Sequence, residues 1–418
     1  MTFSVTKILR PKFILENYFW LLTITAILNI VTGIGWLTTL VLPIVIYSLL
    51  FLRKRVSLNF NLIDSIWFVL FFWMIGTWFY NDYPHQGILI VRCFAGQIAY
   101  MMTYWIARTS TENWVSSIIQ NAYVPLVLTC CVGIYCFFFP PHWYKEIIQN
   151  SIDRNSLQYV TQSMILEANR LRSIFFSPYT LAYFSSITMI FTFFQINRTG
   201  SGSQRFQYGL MALLMVTSLL TMMRGPFVCT LIGGVLSILY SYKYLELSRT
   251  IFTIIVFFLI GTIFAPVVLS RMDKATNLYF VSKVSTVTTE SDEFVEQRLF
   301  LNRRQTEMLG DGVGRHDIQA DKYNPGSSMR DGEYMKTIQE QGYIGLGIFF
   351  LFCFLCMIKG IRYFRDLTIE LCLLIMLLIC MIGANPLSTA DKHCIIFWMA
   401  IGQIARHGGK RVIKIKNY

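Results

Sequence analysis

The sequence predicts an all-α polytopic membrane protein, and three observations carry that prediction. Apolar runs recur along the whole chain at about the 17–25 residues a helix needs to cross a hydrocarbon core. Hydrophobic residues make up 55% of the 418 positions against 14% charged, with a mean hydropathy of +0.51, a balance that soluble domains rarely show. The basic residues sit in separate short loops between the runs, so the net charge of +13 does not point to nucleic acid.

Twelve spans are expected, at approximately 17–33, 35–52, 62–80, 88–107, 115–139, 179–196, 208–223, 226–242, 250–270, 342–358, 367–385 and 392–405. The opening MTFSVTKILRPKF is basic, and no small-residue cleavage site follows the first run, which therefore reads as a retained span rather than a signal peptide. All ten cysteines lie in apolar runs or at their edges, a placement that suits helix packing better than a disulfide framework. The Gly/Ser-rich stretch 197–207 reads as a linker, and no internal repeat is visible. The whole chain, 1–418, reads as a single integral membrane domain.

Charge orients the spans. Lys7, Arg10 and Lys12 precede span one, Arg53-Lys54-Arg55 follow span two, and Arg108 follows span four. Arg198 and Arg205 follow span six, Lys243 and Arg249 span eight, Lys359, Arg362 and Arg365 span ten, and Arg406 to Lys416 close the chain. With twelve spans all of these fall on one side, which the positive-inside tendency makes cytoplasmic. The opposite side receives the loop 140–178, the Arg224-Gly225-Pro226 turn, the long loop 271–341 and the turn 385–391. The long loop holds ten Lys/Arg and twelve Asp/Glu, and long translocated segments are exempt from the charge rule.

The candidate site residues lie on that second side. Arg224 stands where one apolar run ends and the next begins. Its planar fork suits phosphate, and a helix break at the adjoining Gly225-Pro226 leaves free backbone donors nearby, although an arginine at a span end also snorkels. Arg172 opens RSIFFSPYTLAYF, in which Pro178 suits a helix start and Ser177 a cap. Residues 293–317 read as an amphipathic helix ending in the turn Gly310-Asp311-Gly312-Val313-Gly314. Arg298 projects from it toward the membrane-facing cleft, and Arg303 and Arg304 read as surface cations or additional anion contacts. That glycine turn follows a helix rather than a strand, so no dinucleotide site is expected. In DGEYMKTIQEQGYIG (331–345), Tyr334 and Ile338 share a helical face that runs into span ten. Asp331 and Glu333 at its head serve either the helix dipole or a general base. His316 is the only histidine of the long loop, and Arg92 joins the anion site or snorkels. No H-E-x-x-H, clustered ligand set or D-x-D suggests a metal, and no cofactor is expected.

In order and topological position these stretches resemble the O-antigen polymerase/ligase-like membrane glycosyltransferases, which include Wzy-type repeat-unit polymerases and WaaL-type ligases. RSIFFSPYTLAYF looks like the family's Arg…Pro approach to a central span, and MMRGPF like its arginine at a periplasmic span end. QRLFLNRRQTEML with GDGVG looks like its arginine-bearing helix and glycine turn. DGEYMKTIQEQGYIG looks like its segment leading into the next span, with Glu333, Gly342 and Gly345 in register. One departure stands out. Ligases of the family begin that segment with a histidine, where this chain has Asp331, which tilts the resemblance toward a polymerase.

The resemblance implies a GT-C-like arrangement in the bacterial inner membrane, with both termini cytoplasmic and loop 271–341 covering a periplasmic active site. It implies a donor carried on undecaprenyl pyrophosphate and membrane lipid around the bundle, with a chain-length regulator protein as a further partner. Arg224 and Arg298 would stabilise the departing pyrophosphate without metal, and Asp331 or Glu333 would act as base. Arg172, Arg92, Arg303, Arg304, His316 and Tyr334 would bind substrate, with Trp143, Tyr144 and Tyr323 stacking on sugars. A ligase acting on lipid A core and a transporter of lipid-linked anions are the alternatives.

Overall fold

The computed structural model describes residues 11–32, 37–51, 60–80, 86–151, 170–175, 178–198, 201–221, 223–244, 308–315, 332–382, 385–387 and 392–407. Among them every regular element is helical. The helices are α1 (Pro11–Glu16), α2 (Tyr18–Thr32), α3 (Leu37–Phe51), α4 (Leu62–Tyr80) and α5 (Gln86–Cys93). A π-helical turn, Phe94–Ile98, joins α5 to α6 (Ala99–Met101) and α7 (Thr103–Thr109). Next come α8 (Trp114–Phe138), α9 (His142–Ser151), α10 (Pro178–Arg198), α11 (Ser201–Thr221) and α12 (Arg224–Tyr244). After the glycine turn at 310–314 follow α13 (Glu333–Arg362), α14 (Thr368–Cys380) and α15 (Cys394–Arg406).

Among the described residues, four helical stretches are long and apolar enough to cross a membrane: Leu62–Phe79, Trp114–Phe138, Pro178–Ile196 and Glu333–Arg362. Shorter apolar helices occupy other expected runs, at Tyr18–Thr32, Val41–Phe51, Val228–Ser237, Thr368–Cys380 and Cys394–Arg406. The run 250–270 and the amphipathic helix expected before the glycine turn lie outside the described residues.

Two expectations need correction. The stretch 197–207 is not a linker along its length, because α11 already begins at Ser201. A helix needs only its own backbone bonds, so its first polar turns extend beyond the apolar run that marks it in sequence. Nor does the face carrying Tyr334 and Ile338 run straight into span ten. Gly342 has φ 71° and ψ −179°, which breaks α13 into 333–341 and 343–362.

The chain forms two compact units. The first holds Met1–Glu16, Thr39–Ser117 and Arg298–Tyr418. In it α15 packs along α7 and α14, and α13 packs on α4. The start of α4 is a reciprocal cap: Asp64 N donates to Asn61 Oδ1 (3.0 Å) and Asn61 N to Asp64 Oδ2 (2.9 Å), which satisfies two otherwise unpaired N–H groups. The same Asp64, fully buried, accepts from Tyr104 Oη (2.5 Å) and from Arg108 Nε and Nη2 (2.9 and 2.8 Å). Close by in the network, Lys359 Nζ donates to Ala405 O (2.7 Å), as does Asn61 Nδ2 (2.9 Å). Arg406 Nη1 donates to the carbonyls of Ser110 and Glu112, and Lys12 pairs with Glu112. The start of α4 and the ends of α7, α13 and α15 therefore meet at one end of the unit, bringing together basic residues from loops that the charge pattern assigns to one side.

The second unit holds Asn17–Thr38 and Ile118–Gln297. Its centre is α10, against which both α11 and α12 pack. The apolar window of α10 is 89% buried, compared with 33% for that of α13, so α10 is a core helix and not a lipid-facing one. Phe184 from α10 meets Phe19 edge-on, with ring centroids 4.5 Å apart. Pro178 opens α10, where its missing N–H costs nothing.

Candidate active site

At the end of α13 away from the basic network, the helix is held by the glycine turn. The break at Gly342 strips three carbonyls of their helical donors, and each is met from outside. Asp311 N donates to Gln339 O (2.7 Å), Gly312 N to Glu340 O (2.9 Å) and Trp73 Nε1 to Gln341 O (2.8 Å). Trp78 Nε1, one and a half turns further along α4, donates to Val313 O (2.9 Å) and pins the turn itself. The approach leaves no space for side chains. A Cβ on Gly342 would stand 2.1 Å from Met308 O, and one on Gly310 2.3 Å from Gly342 N. Both glycines have positive φ, 71° and 73°, so glycine is required on conformational and steric grounds alike.

This clasp fixes the short helical head, 333–341. Glu333 is its first residue and is 2% exposed. Its Oε2 accepts from Leu387 N (3.0 Å), a contact with the chain between α14 and α15. Glu333, Thr337 and Gln341 follow at i, i+4 and i+8 and share one face. With Gln97 they line a small cavity of about 30 Å³, closed on its apolar side by residues such as Leu70 and Trp398. Lys336 and Glu340, both 1% exposed, form an ion pair (3.9 Å) in the same head. Charge buried in a membrane-length helix is costly to keep, and it marks function more often than packing.

Tyr334 has a different environment from Glu333. Its hydroxyl donates to Leu378 O (2.6 Å), and its ring lies 5.2 Å from that of Phe350. It tops an apolar groove of about 450 Å³ between α13 and α14, lined further by Cys353, Phe354 and Met357. Arg92, half-buried, lies in the last turn of α5, which Cys93 closes just before the π-helical turn.

The second unit carries Arg172 and Arg224. Arg172 is 2% exposed in the segment 170–175. Its backbone N donates to Tyr144 Oη (3.3 Å), Leu171 N donates to Leu220 O (3.0 Å), and Ser173 Oγ donates to Thr129 O (2.6 Å). Burial raises the Tyr144 phenol above its ordinary range, so it remains a neutral hydrogen-bonding group. Ser173 takes φ 57°, an uncommon conformation for a residue with a side chain. The bond to Leu220 ties this segment to the end of α11, a few residues before Arg224 opens α12. The expected Arg224-Gly225-Pro226 turn is thus the first turn of a helix, whose unpaired N–H groups and dipole favour an anion.

Arg298, Arg303, Arg304, His316 and Asp331 lie outside the described residues. Sequence reasoning missed Gln97, Thr337 and Gln341 as site residues. Gln97 carried a usable signal, a lone carboxamide inside an apolar run, since intramembrane polar side chains point to function. Thr337 and Gln341 lay in a stretch polar enough to hide them.

Fold and site together define a helical membrane protein with a buried carboxylate at the head of a spanning-length helix. No protein-family model, curated protein or solved structure matches the chain.

Proposed function

We propose that the chain is a Wzy-type repeat-unit polymerase of the bacterial inner membrane, with twelve spans, both termini cytoplasmic and the Glu333 end periplasmic. One observation carries the reading: a buried carboxylate and three further polar side chains line a small, otherwise apolar cavity at the end of the first unit opposite its basic network. The basic end suits the cytoplasmic face, and the Glu333 end then faces the side to which lipid-linked glycans are delivered. The sequence resemblance supplies the chemistry. A sugar hydroxyl of the incoming lipid-linked repeat unit attacks the anomeric carbon of the growing glycan. The bond from that carbon to the pyrophosphate oxygen breaks, undecaprenyl pyrophosphate leaves with the bonding pair, and Glu333 or Asp331 takes the hydroxyl proton. The resemblance also implies that Arg224 and Arg298 stabilise the leaving pyrophosphate and that Arg172 binds substrate.

The test uses purified protein in nanodiscs, its own organism's undecaprenyl-pyrophosphate repeat unit and a chelator, read by gel. A glycan ladder with no other acceptor is expected. Transfer only after lipid A core is added would make the chain a ligase, and no transfer in either arm would favour a carrier of lipid-linked anions.

A further inference from the structure

The cavity beside Glu333 contains an acceptor that the described residues leave unmet. Gln341 is 6% exposed, and its Oε1 is buried without a hydrogen-bond donor among the described residues. Keeping such an acceptor away from water opposes folding unless something donates to it. Gln97 faces the same space from the other side. It is 8% exposed and belongs to the π-helical turn Phe94–Ile98, the kind of local widening that recurs at functional sites. The turn is held in place: Tyr47 Oη donates to the carbonyl of Phe94 (3.1 Å). Cys93 Sγ donates to Gln97 Oε1 (3.5 Å), which orients the carboxamide and directs its NH₂ group elsewhere.

The cavity thus presents a carboxylate, an unmet amide carbonyl and an amide donor around about 30 Å³. A buried water needs about 10–15 Å³ and two to four polar partners, and both conditions are met. A sugar ring does not fit that volume. We propose that this cavity binds one water, which donates to Gln341 Oε1 and to the Glu333 carboxylate and accepts from Gln97 Nε2. Gln341 and Gln97 are positioning residues: through this water they fix the orientation and basicity of Glu333. The inference rests on the polymerase reading for its catalytic consequence, but not for the water itself.

The test has two arms. A cryo-EM map of the full chain in nanodiscs, at a resolution that shows ordered water, should contain a peak about 3 Å from both Gln341 Oε1 and a Glu333 oxygen. The peak should vanish in Gln341→Met. A wild-type map without it overturns the proposal. In the polymer assay, Gln341→Met should lower kcat by about 10-fold or more and shift its pH profile, leaving KM for the repeat unit unchanged. A variant with wild-type kcat and pH profile overturns the positioning role. If Gln341→Met does not fold, Gln97→Leu should give the same loss of peak and the same kinetic change. Absence of a ladder from the wild type would remove the polymerase reading alone, and the map would still decide the water.

Discussion

The two ends of α13 bury charge in opposite ways. Near its C-terminus, Asp64 is enclosed by a tyrosine hydroxyl, an arginine fork and a backbone N–H, so the carboxylate is saturated. At its N-terminus Glu333 takes a backbone N–H from Leu387 and also borders a cavity whose neighbouring Gln341 carbonyl lacks a donor among the described residues. A buried charge whose every acceptor position ties helices together holds them in register, whereas one that borders a cavity with an unmet acceptor beside it has chemistry left to offer. The comparison assigns architecture to one end and reactivity to the other.

That contrast breaks most visibly at Asp64. Asp64→Asn removes the fully buried partner of the half-buried Arg108 and should cost about 3 kcal/mol, seen as a clear fall in thermal-shift midpoint in detergent, while turnover per folded molecule is kept. Gly342→Ala comes next. The positive-φ, extended conformation, which essentially only glycine adopts, alone costs about 1–3 kcal/mol, and the clash with Met308 O adds to it. The paired control is Gly347→Ala, where a Cβ meets nothing within 4 Å and a helix gains slightly. A Gly342→Ala midpoint equal to that of Gly347→Ala would show that the clasp does not hold the head.

Smaller effects sharpen the same picture. Trp78→Phe removes the bond to Val313 O and should cost about 1 kcal/mol, with transfer reduced more than stability because the glycine turn loosens over the site. Lys12→Ala removes a pair whose side chains are 52% and 40% exposed. It should change stability by less than about 1 kcal/mol, an effect that fades with added salt.

Much of the helical layout was legible in the sequence because an apolar run long enough to cross a membrane has few other fates. The signature of Arg224 was equally local: one run stops, another starts, and α12 opens at that residue. Glu333 at a helix head and the glycine turn were also visible. The connection between them was not. The break at Gly342 depends on Trp73 and on the backbone of Asp311 and Gly312, groups remote in sequence whose roles arise only when the chain packs. Gln97 turns inward through a π-helical turn, and no 3.6-residue pattern announces that change of phase. The polar start of α11 was read as a linker because its composition is that of a loop, although its backbone bonding is that of a helix.

The most direct test places both ends of α13 in one assay. Glu333→Gln keeps the acceptor for Leu387 N and removes the buried carboxylate, and Asp64→Asn is its counterpart at the saturated end. With chelator present and polymer normalised to folded protein in nanodiscs, Glu333→Gln should lose transfer by about 10²–10⁴-fold at an unchanged thermal midpoint, and Asp64→Asn should retain it. A full-length ladder from Glu333→Gln, or loss of transfer confined to Asp64→Asn, would contradict the assignment of reactivity to the Glu333 end.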